Sequence, residues 1–176
     1  MHAHCVEKGY PLPTVYQGPY HPLARHQETD LFPTLRKLGM SFYAYSPSAG
    51  GFLGKTVAQV EEAVRNAPAG PGFRPLRMRL AGSPAHIAAL GKWEAIAERE
   101  GTDRAELAYR WAAYHSAMKR DLGDALIIGA SSLEQIEETL SAVEKGPLSE
   151  TAVKEIDEFW ASVKDEILAA APPRRA

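Results

Sequence analysis

Asp124-Ala-Leu-Ile-Ile-Gly-Ala-Ser-Ser-Leu-Glu-Gln-Ile-Glu-Glu-Thr139 is the stretch that decides the fold. Residues 125–128 form a short, wholly apolar run, which reads as a strand buried on both faces of a parallel sheet. Gly129 and Ala130 let the chain turn without bulk. Ser132-Leu-Glu-Gln135 has the spacing of a capping box, so a helix opens there. A buried strand therefore ends in a small-residue loop that aims free backbone N–H groups and two hydroxyls at one point. Such a point suits an anion, because the helix dipole and the unpaired donors both favour negative charge. The same residues also suit a plain helix cap with no ligand.

Working outward, the downstream chain supplies Gly146-Pro147 and a last helix capped by Ser149, with Val153, Ile156, Trp160, Val163 and Ile167 in one stripe. Residues 164–176 read as a fraying tail. Upstream, Thr102 or Asp103 opens a helix that buries Leu107, Trp111 and Tyr114 and ends near Lys119. Ser83-Pro84 opens another that stops at Gly101. Residues 67–82 read as an irregular excursion carrying Arg74, Arg77 and Arg79, either a solvated loop or an arm that touches an anion. Further back, Ser41-Phe-Tyr-Ala-Tyr45 is a strand followed by a small-residue loop, 46–55, and then a helix with Val57, Val60, Ala63 and Val64 at helical spacing. A helix over about 29–38 ends at Gly39, and Thr14-Val-Tyr-Gln17 is a short β-branched and aromatic strand. Residues 5–9 read as a last helical turn with its glycine.

The composition is that of an ordinary globular domain or part of one: 176 residues, 45% hydrophobic, with a formal net charge of -2. Near-neutrality gives no drive towards nucleic acid or anionic membrane. No apolar run approaches a membrane span, and the N-terminus has no signal-peptide core, so a cytoplasmic location is expected. The single cysteine, Cys5, excludes an internal disulfide framework and suits a reducing compartment. His2, His4 and Cys5 match no usual zinc spacing.

Strands alternating with helices imply parallel pairing with crossover connections. Ligands in such sheets sit at the carboxyl ends of strands, here Gln17, Tyr45-Ser46 and residues 129–132. Three strands cannot close a barrel, whereas an eight-stranded one takes about 250 residues. The expected fold is therefore α/β, the C-terminal half of a (β/α)8 barrel left open, with residues 1–176 forming one partial domain.

Several stretches carry a resemblance in order and spacing: Pro13-Thr-Val-Tyr-Gln-Gly18, Glu28-Thr-Asp-Leu-Phe-Pro-Thr-Leu-Arg-Lys-Leu-Gly39, Ser41-Phe-Tyr-Ala-Tyr-Ser-Pro47, Ala49-Gly-Gly-Phe-Leu53, Glu106-Leu-Ala-Tyr-Arg-Trp111 and residues 123–135. They resemble the aldo-keto reductase family, and closely its aflatoxin-aldehyde reductase branch. The resemblance implies an α/β barrel that binds NADPH and reduces aldehydes and ketones. It implies that Gln17 holds the nicotinamide carboxamide and that Tyr45 stacks on the nicotinamide. It implies that a loop containing Ser46, Pro47, Ser48, Ala49, Gly50, Leu53, Gly54 and Lys55 folds over the pyrophosphate. Gly129 and Ala130 would also touch the cofactor, Ser131 and Ser132 would lie near the adenosine 2′-phosphate, and Gln135 and Thr139 would meet the adenine end.

Where the branch usually has leucine this chain has Ser48, and where it commonly has asparagine it has Thr139. Glu134, Glu137 and Glu138 favour the helix N-terminus but oppose a second anion beside it. The resemblance also places the family's catalytic tyrosine, aspartate, lysine and histidine in the first half of the barrel, at positions without a counterpart here. Two functions are therefore expected as alternatives. One is a reductase-like segment that keeps the cofactor contacts and is inactive alone. The other is a non-catalytic binding or assembly protein that self-associates or docks a separate half through its open sheet edge.

Overall fold

A computed structural model describes residues 2–66 and 80–170. Met1, residues 67–79 of the excursion expected over 67–82, and residues 171–176 lie outside the described residues.

Three strands, β1 (Val15–Pro19), β2 (Ser41–Tyr45) and β3 (Ala125–Ile127), form one parallel sheet in the order β1-β2-β3. Val15 pairs with Ser41 and Pro19 with Tyr45; Tyr43 pairs with Ala125 and Tyr45 with Ile127. β1 continues through Gly18 and Pro19, two residues beyond the expected stop, and the Tyr20 N–H donates to Tyr45 O at 3.2 Å.

Helices cover one face of this sheet. Phe42 and Ala44 point into that layer and are fully buried. The Phe42 ring lies 4.8 Å from Phe32 and 5.8 Å from Tyr20, whose ring is 5.6 Å from Trp111. A second part of the core joins the Pro84–Glu100 helix to the Glu150–Ala170 helix through Trp93 and Phe159, with ring centroids 5.8 Å apart. The opposite face is open. Tyr43 and Tyr45 stand on it with more than a third of their surface exposed. The reading of residues 125–128 as buried on both faces is thus corrected: Ala125–Ile127 are half-buried, because among the described residues nothing covers the inner face.

Three helix boundaries also differ from expectation, each for a local reason. The helix expected over 29–38 is two pieces, Gln27–Asp30 and Phe32–Lys37, with Pro33 in the first turn of the second. The helix expected to reach Lys119 is Arg104–Tyr114. Side chains capture the donors that would continue it: the Ala117 N–H donates to Tyr20 Oη, the Met118 N–H to Ser116 Oγ and the Lys119 N–H to Asp124 Oδ2. The last helix runs unbroken over Glu150–Ala170, and Ile167 is buried, so the fraying expected from 164 does not hold over 164–170. Ser149 caps it as expected, its Oγ accepting from the Ala152 N–H at 3.1 Å.

The N-terminal edge of the sheet is fastened by Asp124. Its carboxylate accepts from both Nη atoms of Arg36, from the Phe42 N–H at 2.7 Å and from the Lys119 N–H at 2.7 Å. One side chain thus sets the start of β3 against β2 and against the Phe32–Lys37 helix, leaving the opposite, C-terminal edge for loops.

Candidate functional site

The loop after β2 is shaped by left-handed backbone. Ser46 and Ala49 have φ of 55° and 56°, and Gly50 and Gly51 follow at 66° and 86°. Two tight turns close through Ala49 N–H to Ser46 O and Gly51 N–H to Ser48 O. A 3-10 turn, Phe52–Gly54, then sinks Phe52 and Leu53 into the core and anchors the loop. Thr56 ends it with a capping box, exchanging 3.0 Å hydrogen bonds with Gln59. A methyl group at Gly54 would meet Ala105 Cβ at 3.3 Å, so the loop packs closely on the start of the Arg104–Tyr114 helix.

That helix is held in place by charge. Glu106 accepts from Arg110 at 2.9 Å and from Lys145 at 2.5 Å, while Arg110 also donates to Gly146 O and Pro147 O. Burial alone would raise the Glu106 pKa; the hydrogen bonds from its cations outweigh it and hold the carboxyl below the usual range. The end of the Leu133–Glu144 helix is thereby fixed to the helix beside it.

Between these parts lies a cleft of about 770 Å³. Tyr45, Ser46, Pro47, Ser48, Gly50, Gly51, Gly54 and Lys55 line it from the loop. Ala105 and Tyr109 line it from the neighbouring helix, Ile127, Gly129, Ala130 and Ser131 from the end of β3, and Gln135, Glu138 and Thr139 from the helix that follows. Twelve of the sixteen expected contact residues thus share one cavity.

Four do not line it. Ala49 and Leu53 are fully buried and serve the core. Ser132 caps its helix, its Oγ accepting from the Gln135 N–H at 3.3 Å. Gln17 is exposed on β1, where it pairs with Tyr43, so it shares the open sheet face with Tyr43 and Tyr45.

The expected capping box is also altered. Gln135 Oε1 accepts not from the Ser132 N–H but from the Ser131 N–H at 2.9 Å and Ser131 Oγ at 3.0 Å. Sequence reasoning missed Gly51, Ala105, Tyr109 and Ile127, and read Glu138 only as a charge near the site. Ala105 and Tyr109 stand one helical turn apart, a signal that becomes legible only once the cleft side of their helix is known.

The other phenol and imidazole groups near strand ends do not reach the cleft. Tyr20 is fully buried, its hydroxyl donating to Glu28 Oε1 at 2.7 Å; burial and the Glu28 charge push its pKa far up. His21 is buried beside His86 and His26, and burial lowers its pKa to about 3, so it stays neutral. Tyr114, expected to be buried, is instead exposed, because its hydroxyl reaches the surface to donate to Val143 O, and His115 Nε2 accepts from the Leu148 N–H. Among the described residues no group of three or more His, Cys, Asp or Glu could hold a metal, and no helix is long and apolar enough to cross a membrane.

Residues 2–161 match the model of the Aldo/keto reductase family. The oxidoreductase sirO of Leptosphaeria maculans is 39% identical over 166 residues, covering 94% of this chain and 50% of that protein. The aflatoxin B1 aldehyde reductase member 2 of Homo sapiens is 39% identical over 172 residues, covering 92% of this chain and 47% of that protein. The chain thus spans about half the length of the relatives it matches. The glycerol dehydrogenase AKR11B4 of Gluconobacter oxydans superposes with a TM-score of 0.58 at 19% identity, over 99% of this chain and 48% of that one. This likeness shows the fold: the three parallel strands and their helices correspond to part of an α/β barrel.

Proposed function

Because the chain belongs to the aldo-keto reductase family, we propose that residues 1–176 act as the dinucleotide-holding part of an NADPH-dependent carbonyl reductase, set in the cytoplasm, where Cys5 stays reduced. The observation that carries this reading is convergence. Three segments far apart in sequence meet in one cleft at the carboxyl ends of parallel strands.

The donor set fits such a cofactor. The cleft volume lies within the range of roughly 300–1,000 Å³ usual for ligand pockets. Lys55 is exposed and forms no ion pair among the described residues, and the Leu133–Glu144 helix presents its N-terminus. Both would favour phosphate oxygens. Small residues in the loop let a backbone approach a pyrophosphate closely. Tyr45 offers a ring for the nicotinamide, and Gln17 stands on the same sheet face for its carboxamide. Gln135 and Thr139 would meet the adenine end.

When bound, the cofactor supplies a hydride. The matching proton needs an acid beside the carbonyl oxygen, tuned by neighbouring charge. No described residue of the cleft has that setting, so we propose that this polypeptide binds NADPH and does not turn over by itself. Titration followed by NADPH fluorescence is expected to show saturable binding. Steady-state NADPH oxidation with a reactive aldehyde is expected to run no faster than with an N-terminally extended, tyrosine-less control. Turnover above that control would defeat the inactivity, and absent binding would remove the cofactor reading.

One observation favours a second reading, assembly. Leu133, Ile136 and Leu140 are 71%, 40% and 47% exposed along one side of their helix, next to the open β3 edge. Such a flank favours pairing with a second copy or a separate half barrel. Light scattering across concentration tests it: growth in mass is expected, and a stable, well-folded monomer throughout would remove this reading.

A further inference from the structure

Two aromatic side chains line the cleft, and they come from different layers. Tyr45 stands at the carboxyl end of β2, on the sheet. Tyr109 comes from the Arg104–Tyr114 helix, whose Tyr114, further along, is bonded to Val143 of the Leu133–Glu144 helix. Tyr109 therefore lies beside the helical wall that contributes Gln135, Glu138 and Thr139. It is half-buried, yet among the described residues its ring stacks on no other ring and its hydroxyl has no hydrogen-bond partner. Its neighbours are rigidly set, since Glu106 and Arg110 of the same helix are each bonded across to residues 145–147.

We propose that Tyr109 is the platform on which the purine ring of a bound dinucleotide stacks; the proposal rests on the cofactor reading above. A dinucleotide has two flat heteroaromatic ends joined by an anionic linker. Among the described residues the cleft offers a phenol from the sheet, a phenol from the helical layer, and one cation, Lys55, with small residues in its lining. With the nicotinamide on the sheet side, the purine falls to the helical side. A half-buried phenol with a free face suits it, since stacking on an aromatic ring tolerates any base and needs no hydrogen-bond code.

The test is titration of the 176-residue chain and its variants with NADPH and, separately, with ADP. Nuclear Overhauser spectra of the NADPH complex accompany it. Tyr109→Leu keeps apolar bulk but no ring, and is expected to weaken both ligands by about 5- to 100-fold. Tyr109→Phe keeps the ring and is expected to stay within about two-fold of the parent, since only the stacking face is needed. Cross-peaks are expected between adenine protons and the Tyr109 ring. If Tyr109→Leu proves unfolded, the phenylalanine variant and the cross-peaks still decide. NADPH binding that is unchanged in Tyr109→Leu, or lost equally in Tyr109→Phe, would overturn the stacking role while leaving the cofactor reading in place. Failure of the parent chain to bind either ligand would remove both together.

Discussion

Asp124→Ala lowers the stability of the chain by about 3–5 kcal/mol, the usual cost of stripping the partner from a buried charge. The side chain is fully shielded from water, and its oxygens serve four donors on three segments. Alanine would leave two backbone N–H groups without an acceptor and the Arg36 guanidinium with only Met40 O, at 3.4 Å. Asp124→Asn is the milder change, because one amide oxygen can still serve the Phe42 N–H, but its NH2 would then face other donors; about 2 kcal/mol is expected.

The sign with pH follows from the same contacts. Burial opposes ionisation of Asp124, but the Arg36 pair and the two N–H groups outweigh it, so the folded pKa lies below the ordinary value of 3.8. This contribution is therefore fully present above about pH 4 and is lost as pH falls through the lower, folded value. Urea unfolding at pH 7 and near pH 3 would measure both effects. The Asp124→Ala deficit should shrink at the acid end; a deficit that stays constant would refute the charge-based account. On the proposed cofactor reading, the substitution should also weaken NADPH binding, because the register of β3 places Ile127 and Gly129 in the cleft wall.

Trp111→Ala is expected to cost a similar amount, about 3–5 kcal/mol, for a different reason. The indole is fully buried, lies 5.6 Å from the Tyr20 ring and has the Arg25 guanidinium 5.2 Å from its centroid. Alanine would open a cavity beneath the Arg25–Glu28–Tyr20 network and loosen the sheet from its helices. Phenylalanine separates volume from polarity. Trp111 Nε1 is buried without a partner, so removing it recovers some desolvation cost while a smaller void forms. Trp111→Phe should therefore cost less than half of what alanine costs in thermal or urea unfolding. Equal losses would mean that ring volume does not dominate.

Local pattern was enough to read the strands, their parallel pairing and the helix stops at Gly39 and Gly101, because these features depend on neighbours in sequence. The meeting of the 46–55 loop with residues 129–139 was legible for a related reason: strand ends of a parallel sheet point the same way. What could not be read was set by long-range partners. Lys119 leaves its expected helix because Asp124, Tyr20 and Ser116 take the N–H groups of that segment. Ala49 and Leu53 sit in a motif of small and apolar residues, and only the packing shows that they face the core. Tyr109 looked like one more helix residue because the wall it forms belongs to three separate segments. The half-buried state of Ala125–Ile127 was hidden by composition: an apolar run records what a strand is suited to pack against, whether or not this chain provides it.

If the cleft takes a dinucleotide as proposed, the grip of Gln135 on Ser131 would have a kinetic meaning. An amide oxygen already accepts from both donors of Ser131, at 2.9 and 3.0 Å, where an incoming anion would place one of its own. Entry would then be an exchange of one acceptor for another. A charged oxygen forms the stronger bond, by roughly a factor of two, so it displaces the neutral one. On the proposed cofactor reading, the glutamine would act as a placeholder that holds the loop in shape and yields only to something more negative than itself.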